Sequence, residues 1–218
     1  MIRHAANQNL TLHHESTYLG LRIQEDKGPF IREYLSRLHE TATRAVGQYS
    51  RVFAFRLDLR FPSDQGHNGF GFGNEIINRF FESFKAKLRH NRHMAKRENK
   101  YAHGTVVRYV WTRETGQRGR PHYHLVIFLN YDAFCALGRF VQGRDNIFNR
   151  LQEAWASALN VSLDAATGLV HIPEGPCYYI YRDNDESFAR FFYRASYLCK
   201  AATKAFGDGC HGFGASRI

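Results

Sequence analysis

His122 and His124 flank one large apolar residue at the head of an apolar run, Pro121-His122-Tyr123-His124-Leu125-Val126-Ile127-Phe128. A run rich in Val, Ile and Phe reads as a strand, and alternate residues of a strand share a face, so both imidazoles project to one side. Neutral imidazole is a common ligand for divalent transition metals, and a strand presents two of them without having to order a loop. His-x-His also occurs on strands that bind nothing. The chemistry therefore depends on what stands beside the pair.

If the hairpin that delivers this strand is symmetric about Arg118, Glu114 sits opposite His122 and Thr112 opposite His124. Opposed residues of neighbouring strands share a face, with Cα atoms roughly 4.5 to 5.5 Å apart. Two imidazoles and a carboxylate with open positions left over make a site for a divalent ion that also takes a substrate oxygen. A slip of one residue would turn Glu114 to the opposite face. The same face carries Arg108 and, by polar alternation, Arg56, Asp58 and Arg60, and the planar guanidinium fork matches phosphate oxygens. Asp58 reads as the salt partner of its flanking arginines, with a further metal ligand as the alternative.

A helix expected over about Asp185 to Ala202 supplies a nucleophile. Phe188, Phe191, Phe192, Ala195, Leu198, Cys199 and Ala202 form its apolar stripe at 3.6-residue spacing, while Tyr193, Tyr197, Lys200 and Lys204 gather on the reverse side. A phenol with an ordinary pKa near ~10 becomes a usable nucleophile beside a cation or base, and Lys200 lies one turn beyond Tyr197. The plainer reading is an amphipathic helix with half-exposed tyrosines. Taken together, the groups describe phosphodiester chemistry. The metal orients a phosphate, Tyr197 attacks phosphorus, a 3′-hydroxyl leaves, and the enzyme keeps a 5′-phosphotyrosine bond that can later be rejoined.

The elements that must position these groups are legible at low resolution. Residues 1 to 28 read as a polar, His-containing lead-in, followed by a helix from Pro29 to Gln48. Arg51 to Phe61 alternates strictly, with Phe53, Phe55, Leu57 and Leu59 on one face. A Gly-rich loop over Gly66 to Gly73 leads into a long helix from Asn74 to Glu98. The second half of that helix, with the residues up to Lys100, carries the densest basic run, whose plain reading is a solvated face. A strand from Thr105 to Thr112 pairs with the His-x-His strand. A helix from Gly143 to Leu159 follows, then a short strand at Leu169 to Ile172 or at Tyr178 to Tyr181. The order predicts an α+β domain, an antiparallel sheet with helices in ferredoxin-like order. Residues 1–50 are expected as an N-terminal extension with a helix and residues 51–218 as the catalytic domain.

Bulk properties agree. The 218 residues are 44% hydrophobic, enough for a core, and carry a formal charge of +10, from 30 Lys and Arg against 20 Asp and Glu. Such a balance points to a polyanionic partner, nucleic acid first. Cys135, Cys177, Cys199 and Cys210 show no Cys-x-x-Cys spacing and the start shows no signal-peptide pattern, so a reduced intracellular protein is expected. No apolar stretch approaches a membrane span, so no membrane partner is expected.

Arg120-Pro121-His122-Tyr123-His124 with its apolar strand, Arg194-Ala195-Ser196-Tyr197-Leu198-Cys199-Lys200, and the tail Gly207-Asp208-Gly209…Phe213-Gly214-Ala215-Ser216-Arg217 together resemble the replication initiators of filamentous phages (inoviruses). The likeness is to the gene II protein type shared with prophage elements, within the HUH endonuclease superfamily, and also takes in Ala154-Trp155-Ala156 and Gly168-Leu169-Val170-His171. The resemblance implies a single-strand nicking initiator of rolling-circle replication that uses Mg²⁺ or Mn²⁺, with Tyr197 as covalent nucleophile. His122, His124 and Glu114 are then the expected metal ligands, and Lys200 the expected aid to Tyr197. Superfamily members carry one or two catalytic tyrosines, and Tyr193 is the second candidate here. Arg56, Arg60, Arg108, Arg120 and Lys204 are the expected DNA contacts. Single-stranded DNA at a replication origin is the implied partner, with the host replication machinery beside it, in the cytoplasm of a bacterial host. The alternative is a non-catalytic nucleic-acid-binding module that stacks bases on an RRM-like sheet.

Overall fold

A computed structural model describes residues 2–62, 73–116, 121–204, 206–207 and 209–217. The Gly-rich loop expected over Gly66 to Gly73 falls almost wholly outside the described residues, as do Arg118, the centre of the hairpin, and Arg120.

The chain opens with β1 (Ile2–His4), β2 (Asn7–His13), β3 (Thr17–Tyr18), β4 (Leu21–Arg22), a 3₁₀ turn at Glu25–Lys27 and β5 (Phe30–Ile31). The lead-in expected over residues 1 to 28 is thus built into small sheets, β1-β2-β5 and β3-β4. Its polar composition hides this because, of the described residues in that stretch, only Thr11, Tyr18, Ile23 and Gln24 are buried. There follow α1 (Arg32–Gln48), β6 (Arg51–Arg60), α2 (Asn74–Glu98), β7 (Arg108–Thr115), β8 (Pro121–Asn130) and α3 (Ile147–Leu159). The chain closes with β9 (Val170–His171), β10 (Cys177–Tyr181), α4 (Asp185–Ala195), a 3₁₀ turn at Ser196–Cys199, and β11 (Phe213–Ala215). Both alternatives for the late strand are present, as β9 and β10. Among the described residues no helix is long and apolar enough to cross a membrane.

The main sheet runs β10-β6-β8-β7-β11, with β9 also on β6, and every pair is antiparallel. Numbered by their place in the β6-α2-β7-β8-α3-β10 unit, the strands lie in the order 4-1-3-2. This is the predicted α+β, ferredoxin-like arrangement. The alternation of β6 explains how it is covered. Phe53, Phe55, Leu57 and Leu59 pack with Ile77, Phe80, Phe81 and Phe84 of α2 and Leu151 and Trp155 of α3. Val52 and Ala54 point the other way, with Val110, Val126 and Phe128, into a second core closed by Leu35 and Leu38 of α1 and Phe191 and Phe192 of α4. Helices thus cover both faces.

Boundaries differ from expectation for identifiable reasons. The helix expected from Gly143 begins at Ile147 because the Asn146 side chain accepts from the Asn149 N–H at 2.9 Å, an N-cap. The strand expected over Thr105 to Thr112 runs from Arg108 to Thr115. The residues before it are held by side chains instead: Asn130 N–H donates to Thr105 Oγ1 at 2.8 Å, and Val106 N–H to the Tyr49 hydroxyl at 2.9 Å. The last helix ends at Ala195 rather than Ala202. Gln24 Nε2 donates to the carbonyls of Tyr193 and Arg194 at 3.2 and 3.0 Å, taking up the acceptors that a helix end leaves open, and the chain turns away. At the far edge β11 lies on β7 so closely that a Cβ at Gly214 would stand 2.6 Å from the Trp111 ring.

Candidate active site

On the α1/α4 side of the sheet the apolar face gives out partway along the strands. Past Ala54, Val126 and Val110 the same alternation presents Arg56, Asp58 and Arg60 on β6, His124 and His122 on β8, and Thr112 and Glu114 on β7. The register is the one that hairpin symmetry predicts, with Thr112 opposite His124 and Glu114 opposite His122. Across the other side, Asp58 pairs with His124 and Arg60 with His122.

The two Nε2 atoms of His122 and His124 stand 3.1 Å apart, and Glu114 Oε2 is 3.5 Å from His124 Nε2. One ligand atom from each of the three residues fits within a 4.8 Å span. Nitrogen ligands at about 2.1 Å from an ion and at right angles lie ~3 Å apart, so the donor set fits a divalent cation. Glu114 is buried at 3% exposure. Its Oε1 accepts from Lys204 Nζ at 2.6 Å, and Oε2 lies 3.2 Å from Lys200 Nζ. Lysines therefore share this carboxylate with the candidate metal position, and Lys204 fixes the oxygen that faces away from the histidines.

Asp58 organises the opposite side. Its Oδ1 takes His124 Nδ1 at 2.5 Å, and its Oδ2 takes His171 Nδ1 of β9 at 3.1 Å. Asp58 thus pairs with histidines and not with Arg56 or Arg60, which corrects the expectation of a flanking salt bridge. A carboxylate on Nδ1 selects the tautomer and ring orientation that leave Nε2 free to ligate. Burial alone would raise the Asp58 carboxyl, but its hydrogen bonds to His124 and His171 outweigh this and hold it below the usual range. Glu114 behaves alike: burial raises it, while His124 and the Lys204 ammonium pull it well below the usual carboxylate range. The histidines are driven apart. Burial, together with the charge of His124, lowers His122, whereas in His124 the two carboxylate hydrogen bonds overcome burial and raise it. His122 is thereby favoured as the neutral partner.

The nucleophile candidate comes from the 3₁₀ turn. Lys200 Nζ lies 2.6 Å from the Tyr197 phenol oxygen. The Tyr197 ring meets the His124 ring edge-on at 5.8 Å, and the Arg56 guanidinium stands 5.7 Å from its centroid. The N-terminal arm clasps this turn: Gln24 N–H donates to Ser196 Oγ at 3.1 Å, Ala201 N–H donates to Pro29 O at 2.8 Å, and Phe30 bridges to Lys200.

His122, His124, Glu114, Tyr197, Lys200, Arg56 and Arg60 thus converge. Others do not. Tyr193, separated from Tyr197 by the end of α4, lines an outer groove with Arg190 and Arg194. Arg108 is on the right face but six residues along β7 from Glu114, some ~20 Å away, where it donates to Gln48 Oε1 at 2.7 Å. Lys204 is enclosed, with a side-chain exposure of 0%, so it is a partner of Glu114 rather than a DNA contact. Arg120 lies outside the described residues. Sequence reasoning missed Gln24 and the role of His171; a two-residue strand and a capping amide leave no periodic signal.

Fold and site together define an α+β protein with a two-histidine, one-carboxylate cluster beside a lysine-paired tyrosine. The chain belongs to the YagK/YfjJ C-terminal domain family, whose model it matches over residues 13–216. It is 35% identical over 204 residues to the uncharacterized protein YagK of Escherichia coli strain K12, covering 89% of this chain and 97% of YagK. It is 28% identical over 200 residues to the uncharacterized protein YfjJ of the same strain, covering 87% and 96%. No solved structure matches.

Proposed function

We propose that this protein is a metal-dependent endonuclease that nicks and rejoins single-stranded DNA, initiating rolling-circle replication in the manner of HUH initiators in a bacterial cell. The observation that carries the reading is the Tyr197 phenol, 2.6 Å from Lys200 Nζ and edge-on to His124, on the sheet face that also holds His122 and Glu114. Mg²⁺ or Mn²⁺ held by His122, His124 and Glu114 would polarise the scissile phosphate. Lys200 Nζ, 2.6 Å from the phenol oxygen, positions it, and the phenol proton passes to solvent as the new bond forms. The Tyr197 oxygen then bonds to phosphorus as the P–O3′ bond breaks, and the departing 3′-oxygen takes up a proton. Arg56 and Arg60 offer guanidinium forks to the flanking phosphate oxygens. Rejoining is the reverse, with the 3′-hydroxyl attacking the phosphotyrosine.

The alternative of a non-catalytic module stacking bases on an open sheet has less support, because helices cover both faces of this sheet. A decisive experiment incubates the full chain and Mn²⁺ with a random-sequence library of labelled single-stranded oligonucleotides and looks for a denaturant-stable protein–DNA adduct. The expected adduct maps to Tyr197 by mass spectrometry and disappears in Tyr197→Phe. Cleavage that survives Tyr197→Phe would replace the reading with a hydrolase that uses water, and absence of any adduct would end it.

A further inference from the structure

The basic run of α2 lies on the other side of the sheet from the candidate active site. Lys85, Arg89, Arg92 and Lys96 recur at intervals of four, three and four residues, so they fall within about 60° of one another around the helix, with His93 alongside. The stripe borders the buried row of Phe81, Phe84 and Leu88 and faces the sheet edge. Between it and the chain around Gly104–Val107, Tyr109 and the β11 end at Ala215–Arg217 runs a groove of about 740 Å³. Arg217 adds a sixth basic side chain from the opposite wall, and no Asp or Glu lines the groove among the described residues. Arg89, His93, Lys96 and Arg217 are exposed. Lys85 is shared with Glu82 at 3.2 Å, outside the groove, and Arg92 donates to Asn91.

We propose that this groove docks the phosphate backbone of duplex DNA, a contact distinct from the candidate nicking site and not dependent on it. Lysines and arginines along a rigid helix with no lining carboxylate suit a polyanion whose charges recur at fixed spacing. The stripe is ~16 Å long, matching about five base pairs of duplex rise. A single-strand site would need free rings for base stacking. Of the two rings lining this groove among the described residues, Tyr109 is already stacked on Phe81 with centroids 3.5 Å apart, which leaves the His93 imidazole alone exposed.

The test is fluorescence anisotropy of the full chain, in EDTA, with a labelled 24-base-pair duplex of arbitrary sequence and with its single strand, across a salt series. The Arg89→Gln/Lys96→Gln/Arg217→Gln variant is expected to lose at least about tenfold in duplex affinity and to flatten the slope of log K against log salt by about 2 to 3, since each phosphate contact contributes about 0.9. A control of equal charge change, Arg3→Gln/Lys27→Gln/Arg190→Gln, should lose far less. Each groove substitution alone is expected to cost about two- to threefold, which keeps the test standing should the triple variant melt early. The proposal is overturned if the groove variant binds duplex like the wild type, if the control loses as much, or if the groove substitutions weaken single-strand binding more than duplex binding. His122→Ala/His124→Ala should bind duplex normally, so failure of the nicking reading and failure of this one give different results.

Discussion

The Asp58 carboxylate bridges His124 and His171, one oxygen to each Nδ1, at 2.5 and 3.1 Å. It holds the His124 ring with Nε2 turned toward His122 and Glu114. A group of this kind typically contributes 10–100-fold to metal affinity without touching the ion. Asp58→Asn keeps the shape and loses the charge, and is expected to weaken Mn²⁺ binding by about tenfold in isothermal titration calorimetry while lowering the melting temperature without metal by only a few degrees. Unaltered Mn²⁺ affinity would mean that Asp58 has no part in a metal site.

Lys204 and Glu114 form an ion pair closed off from solvent. Removing one member of such a pair leaves a charge in a medium that cannot solvate it, at a cost of about 3–5 kcal/mol. Lys200 and His124 remain near Glu114, which places Lys204→Met at the lower end of that range in urea unfolding. A loss below about 1 kcal/mol would show that Glu114 does not depend on Lys204.

Gln24 stands where the chain leaves α4. Gln24→Ala strips the carbonyls of Tyr193 and Arg194 of a shared donor, and the expected destabilisation is about 1–3 kcal/mol. On the proposed function, adduct formation should slow while Mn²⁺ affinity stays constant, because the metal ligands belong to the sheet. Equal loss of both would point to general unfolding instead.

Tyr34 on α1 stacks on Phe213 of β11, with centroids 4.1 Å apart, and burial pushes its phenol up to about 12. A raised acid favours its protonated form in the fold, so the associated stability is complete below the ordinary value near ~10 and is lost as pH rises toward 12. Thermal melts between pH 9 and 12 should therefore fall more steeply for the wild type than for Tyr34→Phe. Parallel curves would remove Tyr34 as a cause of alkaline unfolding.

What could be read from sequence was what repeats or pairs locally. The strict alternation of Arg51 to Phe61, the apolar spacing of α2 from Asn74 to Glu98, and a hairpin short enough for its register to follow from symmetry all hold. Glu114 reached its place beside His122 by that last route. What stayed hidden was distant in the chain and carried by single groups: the Asp58–His171 pair bridges 113 residues, and the Gln24–Ser196 bond bridges 172. Extending α4 to Ala202 failed because helical periodicity continues past Ala195, while the capping amide that ends the helix lies in a segment with no periodicity at all.

The clasp between residues 24–30 and residues 196–201 carries one half of the candidate site, and Lys200, whose Nζ reaches both Tyr197 and Glu114, joins it to the other. Histidines and carboxylates hang from a hydrogen-bonded sheet, whereas the phenol hangs from a joint between the two ends of the chain. On the proposed function, injury to the joint would cost the phenol its reach before it cost the sheet its ligand cluster.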